Sequence, residues 1–371
     1  MLRILSVFGT RPEAIKMAPV VRELQKHPQR IRSRVCVTAQ HREMLDQVLH
    51  IFGIEPDIDL DLMRPGQALP QLTARVILGM SEVLEQQKPD CVLVQGDTTT
   101  VMATALAAFY QKIPVGHVEA GLRTNDRYSP FPEEMNRRVA DALTTFYFAP
   151  TQRSADALRR EGVAKEDIYV TGNTVIDALL EVVRQPEPPE IADLVAEIAG
   201  RKLILVTAHR RENFGGPFEQ IGLGLRELAR RNPDMAIVYP VHLNPNVQEP
   251  IYRILGEERR VYLIDPLPYI AFAHLMKGAE IILTDSGGIQ EEAPALGKPV
   301  LVMRQETERP EAIEAGTSKL IGPDAEAIIL ETERLLTDRD AYRQMSKAVS
   351  PYGDGHAAER IVRILLDRLS Q

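Results

Sequence analysis

The sequence predicts an α/β protein built from two doubly wound domains, and three observations predict it. Short β-branched runs alternate with amphipathic helical stretches almost throughout, the pattern of parallel sheets covered on both faces. The 371 residues suffice for about two domains of ordinary size. The proline-rich segment Gln185-Pro186-Glu187-Pro188-Pro189-Glu190, a stiff extended linker, divides the alternation into two series.

In the first series, strands are expected at Ile4–Phe8, Val35–Val37, Cys91–Val94, Val115–Val118 and Thr145–Phe148. Helical patterns lie between them, near residues 14–25, 42–51, 72–86, 101–110, 134–143 and 154–160. The second series has strands expected at Leu203–Val206, Ala236–Tyr239, Val261–Ile264, Ile281–Leu283 and Val300–Val302. The expected domains are residues 1–172 and 173–355, with a last helix, 356–371, packing back on the first domain. Two such domains create a cleft between them, and ligands of doubly wound sheets bind beyond the carboxyl ends of the strands.

Composition narrows the function. Hydrophobic residues make up 44% and charged residues 26%, as in a globular protein of the aqueous phase. A net charge of −8 argues against a broad nucleic-acid or anionic-membrane surface, so an anionic substrate needs local cations. No apolar run is long enough to span a bilayer. Cys36 and Cys91 sit in apolar strand-like runs without zinc-type spacing and read as reduced core residues of a cytoplasmic protein.

The segments that carry chemistry fall at predicted strand ends. Thr284-Asp285-Ser286-Gly287-Gly288-Ile289-Gln290-Glu291-Glu292 reads as strand, small-residue turn and helix start. Free backbone N–H groups there make an anion site, Ser286, Gly287 and Gly288 admit a phosphate, and an acidic residue one turn on reaches a ribose hydroxyl. A helix simply capped by Ser286 fits the same residues. In Gly9-Thr10-Arg11-Pro12-Glu13-Ala14-Ile15-Lys16, a capping box accounts for Thr10 and Glu13 but leaves Arg11 and Lys16 unexplained. Neither a Gly-x-Gly-x-x-Gly nor a Walker lysine loop is present.

Asp97 follows one strand and Glu119 ends the next, and Glu133 opens a helix beyond a proline-containing loop. Asp97 also fits an N-cap, and Glu133 and Glu134 fit the acidic first turn that a helix dipole favours. Carboxylates grouped at one sheet end raise each other's pKa, which suits acid/base work near neutrality. His209 and Arg309, at other strand ends, join Arg11 and Lys16 as a cationic set, with His242 a more ambiguous position.

Taken together, these motifs resemble the non-hydrolysing UDP-N-acetylglucosamine 2-epimerases across essentially the whole chain. The matching segments are Gly9–Lys16, Thr38–His41, Gly96–Thr100, His117–Thr124, Ser129–Arg137, Thr171–Thr174, His209–Gly215, Thr284–Glu292 and Lys298–Pro310. The resemblance implies two Rossmann-like domains arranged as in the GT-B glycosyltransferases, a homodimer, and no nicotinamide or other cofactor. It implies interconversion of UDP-GlcNAc and UDP-ManNAc, feeding cell-envelope polysaccharide synthesis. The family's route eliminates UDP to give 2-acetamidoglucal and adds it back with inversion at C2. By resemblance, Asp97, Glu119 and Glu133 exchange the C2 proton, and His209 and Arg11 touch the diphosphate. Lys16 and Arg309 complete the cations, Ser286, Gly287 and Gly288 hold phosphate, Glu292 binds the ribose, and Phe272 lines the uracil pocket. Without the resemblance, Phe272 reads as a core aromatic. The same architecture also accommodates an epimerase of a modified UDP-sugar, or a GT-B glycosyltransferase.

Some positions depart from the family. Gln40 and His41 keep a motif of members activated by substrate at a second site, but Glu43 replaces its second Gln. Gly66, not a basic residue, precedes Gln67. A carboxylate beside a bound diphosphate is unfavourable, so substrate activation of that kind is not expected. Leu267 replaces a frequent Gln beside the uracil and leaves at most a backbone contact there.

Overall fold

The computed structural model describes every residue except 39–41, 63, 65, 370 and 371 and, within the helix Arg42–Phe52, the side chains of 42–44. It divides into two compact units, Met1–Ala178 with Tyr352–Gln371, and Leu179–Pro351.

Unit 1 is built on seven parallel strands: β1 (Leu2–Phe8), β2 (Ile31–Val37), β3 (Ile58–Asp59), β4 (Cys91–Gln95), β5 (Val115–Val118), β6 (Phe146–Ala149) and β7 (Ile168–Val170). Their order is β3-β2-β1-β4-β5-β6-β7. Unit 2 has six: β8 (Lys202–Thr207), β9 (Met235–Pro240), β10 (Val261–Ile264), β11 (Ile281–Thr284), β12 (Val300–Val302) and β13 (Ser318–Leu320), in the order β10-β9-β8-β11-β12-β13. Both are doubly wound α/β sheets, as the alternation predicts.

In such sheets the strand order reverses at one point, and the diverging connections open a crevice at the carboxyl ends. The reversal lies between β1 and β4 in unit 1 and between β8 and β11 in unit 2. The turns holding Arg11, Asp97, His209 and Ser286 directly follow these four strands.

Central strands are apolar on both faces, as β4 (Cys-Val-Leu-Val-Gln, all buried) illustrates. The sequence reading misses β3, β7 and β13. Ile58–Asp59 pairs through only two residues, and Ile168–Val170 and Ser318–Leu320 are short edge strands with partly exposed side chains. Such edges carry little of the apolar signal that marks a central strand.

The first helix, Arg11–Gln25, begins with the predicted capping box. Gly9 directly follows β1, and a Cβ there would lie 2.0 Å from Thr38 Oγ1, so only glycine fits. Helix Ala357–Leu369 rejoins unit 1 against Arg11–Gln25 and buries Ala358, Ile361, Val362, Leu365 and Leu366 on one stripe. Each of the larger side chains contributes on the order of 2 kcal/mol. Cys36 and Cys91 are buried free thiols, and burial pushes both up to about 12. Among the described residues, no helix is long and apolar enough to cross a membrane.

Candidate active site

In unit 1 the predicted acidic residues stand at the ends of β4 and β5. Glu119 is buried and holds a left-handed backbone (φ 71°), costly for a residue with a Cβ and the kind of strain found at functional sites. The Glu119 and Ala120 amides both donate to the Phe148 carbonyl, 3.0 and 3.1 Å away. Lys16 Nζ donates to both Glu119 carboxylate oxygens at 2.6 Å. Gln95 Nε2 donates to Oε2, and Asn173 Nδ2 to Oε1 at 3.3 Å. The sequence reading places Lys16 among the substrate cations; here its ammonium rests on Glu119.

Asp97 follows Gly96, whose φ of 80° makes the sharp exit from β4. A Cβ on Gly96 would lie 3.9 Å from Glu119 Oε2, so the turn before Asp97 packs against the Glu119 carboxylate. Asp97 Oδ2 accepts from Arg137 Nη2 (2.7 Å) and Nε (3.0 Å), and its carbonyl accepts from Asn136 Nδ2 at 2.9 Å. The cap of the following helix is Thr98, not Asp97, which removes the capping reading of Asp97. Glu133 opens the helix Glu133–Leu143 and is half-buried, with no side-chain partner among the described residues.

Its neighbour Glu134 has a different role. Its buried carboxylate accepts from the Thr124 (3.0 Å) and Asn125 (3.2 Å) amides and pairs with Arg137 and Arg138. Burial pushes its pKa up, but these donors outweigh burial and hold it below the ordinary 4.5.

Glu13 ties the two turns of the switch point together. The buried carboxylate accepts from the Gly9 amide (3.0 Å), the Thr10 amide (2.6 Å) and, at 2.6 Å, the Thr98 hydroxyl. Burial, opposed by these donors, leaves its pKa raised. Glu13→Ala strands two backbone donors and a hydroxyl, and is expected to cost about 3 kcal/mol of stability in urea unfolding. Glu13→Gln, which still accepts from the amides and donates to Thr98, is expected to recover most of that loss.

A chain of charged contacts that the sequence reading missed surrounds Asp97. From Asp97 it runs through Arg137 to Glu134, through Arg138 to Glu161 (3.8 Å), and through Arg123 (2.7 Å) to Asp141, again 2.7 Å away. Asp141 Oδ1 lies 2.6 Å from His117 Nδ1, and His117 Nε2 lies 2.7 Å from the Gly96 carbonyl, the peptide just before Asp97. Burial alone lowers the His117 pKa, but the Asp141 carboxylate more than offsets it and the net direction is up. Asp141 moves the opposite way: burial raises its pKa, and His117 with Arg123 brings it below 3.8.

The signs fix a pH window. The Glu134 and Asp141 contributions are complete above their unfolded values, 4.5 and 3.8, and are lost as pH falls through the lower folded values. The His117 contribution is complete below 6.5 and is lost as pH rises through its higher folded value. Urea midpoints of unit 1 are therefore expected to be highest between these limits and to fall on both sides. A profile unaltered in His117→Phe would remove the alkaline assignment.

Unit 2 carries the other half of the predicted residues. Asp285, fully buried after β11, accepts from the His209 amide (2.9 Å), the Arg210 amide (2.8 Å) and Asn213 Nδ2 (3.1 Å). It thus fixes the turn after β8 against the turn after β11. The His209 ring stacks on His242, with centroids 5.6 Å apart and planes 20° from parallel. Burial, then the neighbouring charges of Arg210 and His242, lower the His209 pKa against the pull of Asp285.

Ser286 is the N-cap of the helix Gly287–Glu292, but its hydroxyl makes no capping bond, so the hydroxyl is not spent on the helix. A Cβ on Gly287 would meet Arg210 Nη2 at 3.7 Å and the Arg309 guanidinium carbon at 3.8 Å, so two guanidinium groups face this glycine. Sequence reasoning found Arg309 and passed over Arg210, whose Arg-Arg doublet looks like an ordinary solvated pair. Arg309 is steadied by Glu291. Glu292 accepts from the Tyr269 hydroxyl at 3.0 Å on one oxygen, and its other oxygen lies 3.6 Å from where a Cβ on Gly288 would stand. Phe272 is half-buried on the helix Tyr269–Gly278.

Arg11, at the first turn after β1, has no side-chain partner among the described residues. Gln40, His41 and the side chain of Glu43 lie outside the described residues. Gly66 takes a left-handed turn (φ 69°), and Gln67 accepts from Arg75 at 2.6 Å.

Comparison with known proteins identifies the family. A family model described as UDP-N-acetylglucosamine 2-epimerase matches residues 22–366. The chain is 57% identical over 372 residues to the UDP-N-acetylglucosamine 2-epimerase of Escherichia coli, covering 98% of each, and 56% identical over 372 residues to that of Yersinia pestis, again covering 98% of each. Among solved structures, UDP-GlcNAc 2-epimerase from Neisseria meningitidis bound to UDP-GlcNAc superposes with a TM-score of 0.87 at 51% identity, over 99% of this chain and 100% of that one. The Methanocaldococcus jannaschii UDP-GlcNAc 2-epimerase gives 0.86 at 34% identity, over 98% and 99%.

Two doubly wound units and these relatives together define an α/β isomerase of the epimerase class. Within that class, the chain belongs to the UDP-N-acetylglucosamine 2-epimerase family.

Proposed function

We propose that the protein interconverts UDP-GlcNAc and UDP-ManNAc by eliminating UDP to 2-acetamidoglucal and adding it back with inversion at C2. The observation that carries this reading is the set Asp97, Glu119 and Glu133 on successive elements at one sheet end. The C2 hydrogen is not adjacent to a carbonyl, so direct deprotonation is too slow. Breaking C1–O as C2–H is lost avoids a free carbanion, and the electron pair of C2–H becomes the C1–C2 double bond while UDP takes the C1–O pair. Re-addition reverses these movements, with the proton delivered to the opposite face of C2. Carboxylates serve as the base and acid. The departing diphosphate is stabilised by cations, for which this reading nominates Arg11, Lys16, His209 and Arg309. Ser286, Gly287 and Gly288 cradle phosphate, Glu292 takes the ribose and Phe272 the uracil.

Incubation with UDP-GlcNAc in D2O, without NAD or any acceptor, tests the proposal by NMR. Deuterium at C2 together with UDP-ManNAc is expected. Unchanged substrate would overturn it, and free ManNAc with UDP would mean hydrolysis.

The reading includes a cytoplasmic homodimer. Its support is the run of exposed apolar side chains on two helices packed together, Leu78 on Leu69–Gln87 and Phe109 and Tyr110 on Thr99–Tyr110. Two buried free thiols suit a reducing compartment. Light scattering is expected to give twice the chain mass for the parent and the single chain mass for Leu78→Glu/Phe109→Glu. A parent of single mass would reject the dimer.

A further inference from the structure

We propose that His117 is a positioning residue that works as a buried imidazolium, gripping the Gly96 carbonyl and thereby fixing the Asp97 turn. The kinetic part of this inference rests on the reading of Asp97 as a proton-transferring carboxylate.

The argument starts from which atoms are able to donate. The His117 side chain is fully buried, so no water completes its bonding. Nε2 lies 2.7 Å from the Gly96 carbonyl oxygen, which only accepts, so Nε2 carries a proton. Nδ1 lies 2.6 Å from Asp141 Oδ1. The other oxygen of Asp141 accepts from Arg123 Nη2 at 2.7 Å and from the Gly121 amide at 3.3 Å, donors that keep the carboxylate ionised. An ionised Oδ1 accepts too, so Nδ1 also carries a proton. A ring protonated on both nitrogens is the imidazolium.

The surrounding groups tolerate that charge. Asp141 faces the ring from the helix Glu133–Leu143, and Arg123 reaches Asp141 from the loop after β5. Glu161, at the end of the helix Gln152–Arg160, pairs with Arg123, and Tyr147 on β6 donates its hydroxyl to the Asp141 carbonyl at 2.8 Å. Along the chain of contacts that surrounds Asp97, His117, Arg123, Arg138 and Arg137 balance Asp141, Glu161, Glu134 and Asp97, four cations against four anions.

The consequence falls on Asp97. The Gly96 amide donates to the Val118 carbonyl at 3.0 Å, and the Gly96 carbonyl receives His117. Both the amide and the carbonyl of this left-handed glycine are fixed, and Arg137 holds the Asp97 carboxylate. A neutral histidine donates through one nitrogen only, so it would leave either Asp141 or Gly96 unserved. Small errors in the placement of a reacting group are costly in rate.

The test uses the intact protein labelled with 15N in histidine. At neutral pH both ring nitrogens of His117, assigned by their loss in His117→Gln, are expected to show directly bonded protons. A nitrogen without one would overturn the imidazolium, whatever the variants do. Kinetically, His117→Asn keeps a donor toward Asp141 but abandons Gly96, and is expected to lose about a hundredfold in kcat with UDP affinity unchanged. His117→Gln, whose amide reaches the Nε2 position, is expected to lose about tenfold at most. Two variants with parental kcat would overturn the positioning role. A parent that exchanges no deuterium at C2 would instead defeat the epimerase reading, and the NMR result would still stand.

Discussion

Glu119→Gln is expected to lower C2 deuterium exchange by about a thousandfold while leaving UDP affinity within about threefold of the parent. The asymmetry follows from where the residue sits. Glu119 belongs to unit 1, on the turn after β5, and its partners are Lys16, Gln95 and Asn173. Most groups assigned to UDP, namely His209, Ser286, Gly287, Gly288, Glu292, Phe272 and Arg309, lie on unit 2, and only Arg11 and Lys16 on unit 1. An amide at position 119 neither takes nor gives the proton, and its NH2 confronts donors where the carboxylate accepted. Replacement therefore removes both the proton exchange and the counterion of Lys16. Steady-state kinetics and calorimetric titration with UDP on one preparation check the expectation. A larger loss in UDP affinity than in turnover would mean that Glu119 is a binding group.

Asp285→Ala is expected to damage both stability and UDP binding. It leaves the His209 and Arg210 amides and the Asn213 side chain without their buried acceptor. Three stranded donors at about 1 kcal/mol or more each cost on the order of 3 kcal/mol. For a unit of this size that is roughly a 10 °C drop in the Tm of its transition. Because Asp285 also aligns the turn that carries Arg210 toward Gly287, the Kd for UDP is expected to rise more than tenfold even well below the new Tm. Differential scanning calorimetry with UDP titration measures both. An unchanged Tm would show that the three donors find other partners.

The fold was legible where apolar runs were central. β1, β4, β5, β8 and β11 carry buried residues on both faces, and their ends locate Arg11, Asp97, Glu119, His209 and Ser286 without any tertiary information. The helices Ala325–Thr337 and Arg339–Ser346 were not assigned, because only a few of their residues are buried and the polar remainder blurs the stripe. Within the site, the local signals were readable and the long-range ones were not. The Thr10–Glu13 capping box is spelled by spacing alone. That Glu13 also accepts from Thr98, or that Asp141 faces His117 from 24 residues away, depends on which strands become neighbours. Glu133 and Glu134 are chemically identical in sequence. Only the loop that folds over the helix start makes Glu134 a clasp for Thr124 and Asn125, while Glu133 has no side-chain partner among the described residues.

The composition of unit 1 from two stretches of chain has a consequence for biosynthesis. Unit 2 is continuous from Leu179 to Pro351, so all of it is made before residues 352–369. Unit 1 lacks its stripe of Ile361, Val362, Leu365 and Leu366 until that last stretch emerges, and meanwhile the face of Arg11–Gln25 beneath it stays bare. The usual order, in which the first-made domain is the first to be complete, therefore does not hold for unit 1, which is not complete until unit 2 has been made. A chain cut short anywhere in unit 2 therefore damages unit 1 as well, because it loses the helix that covers Arg11–Gln25.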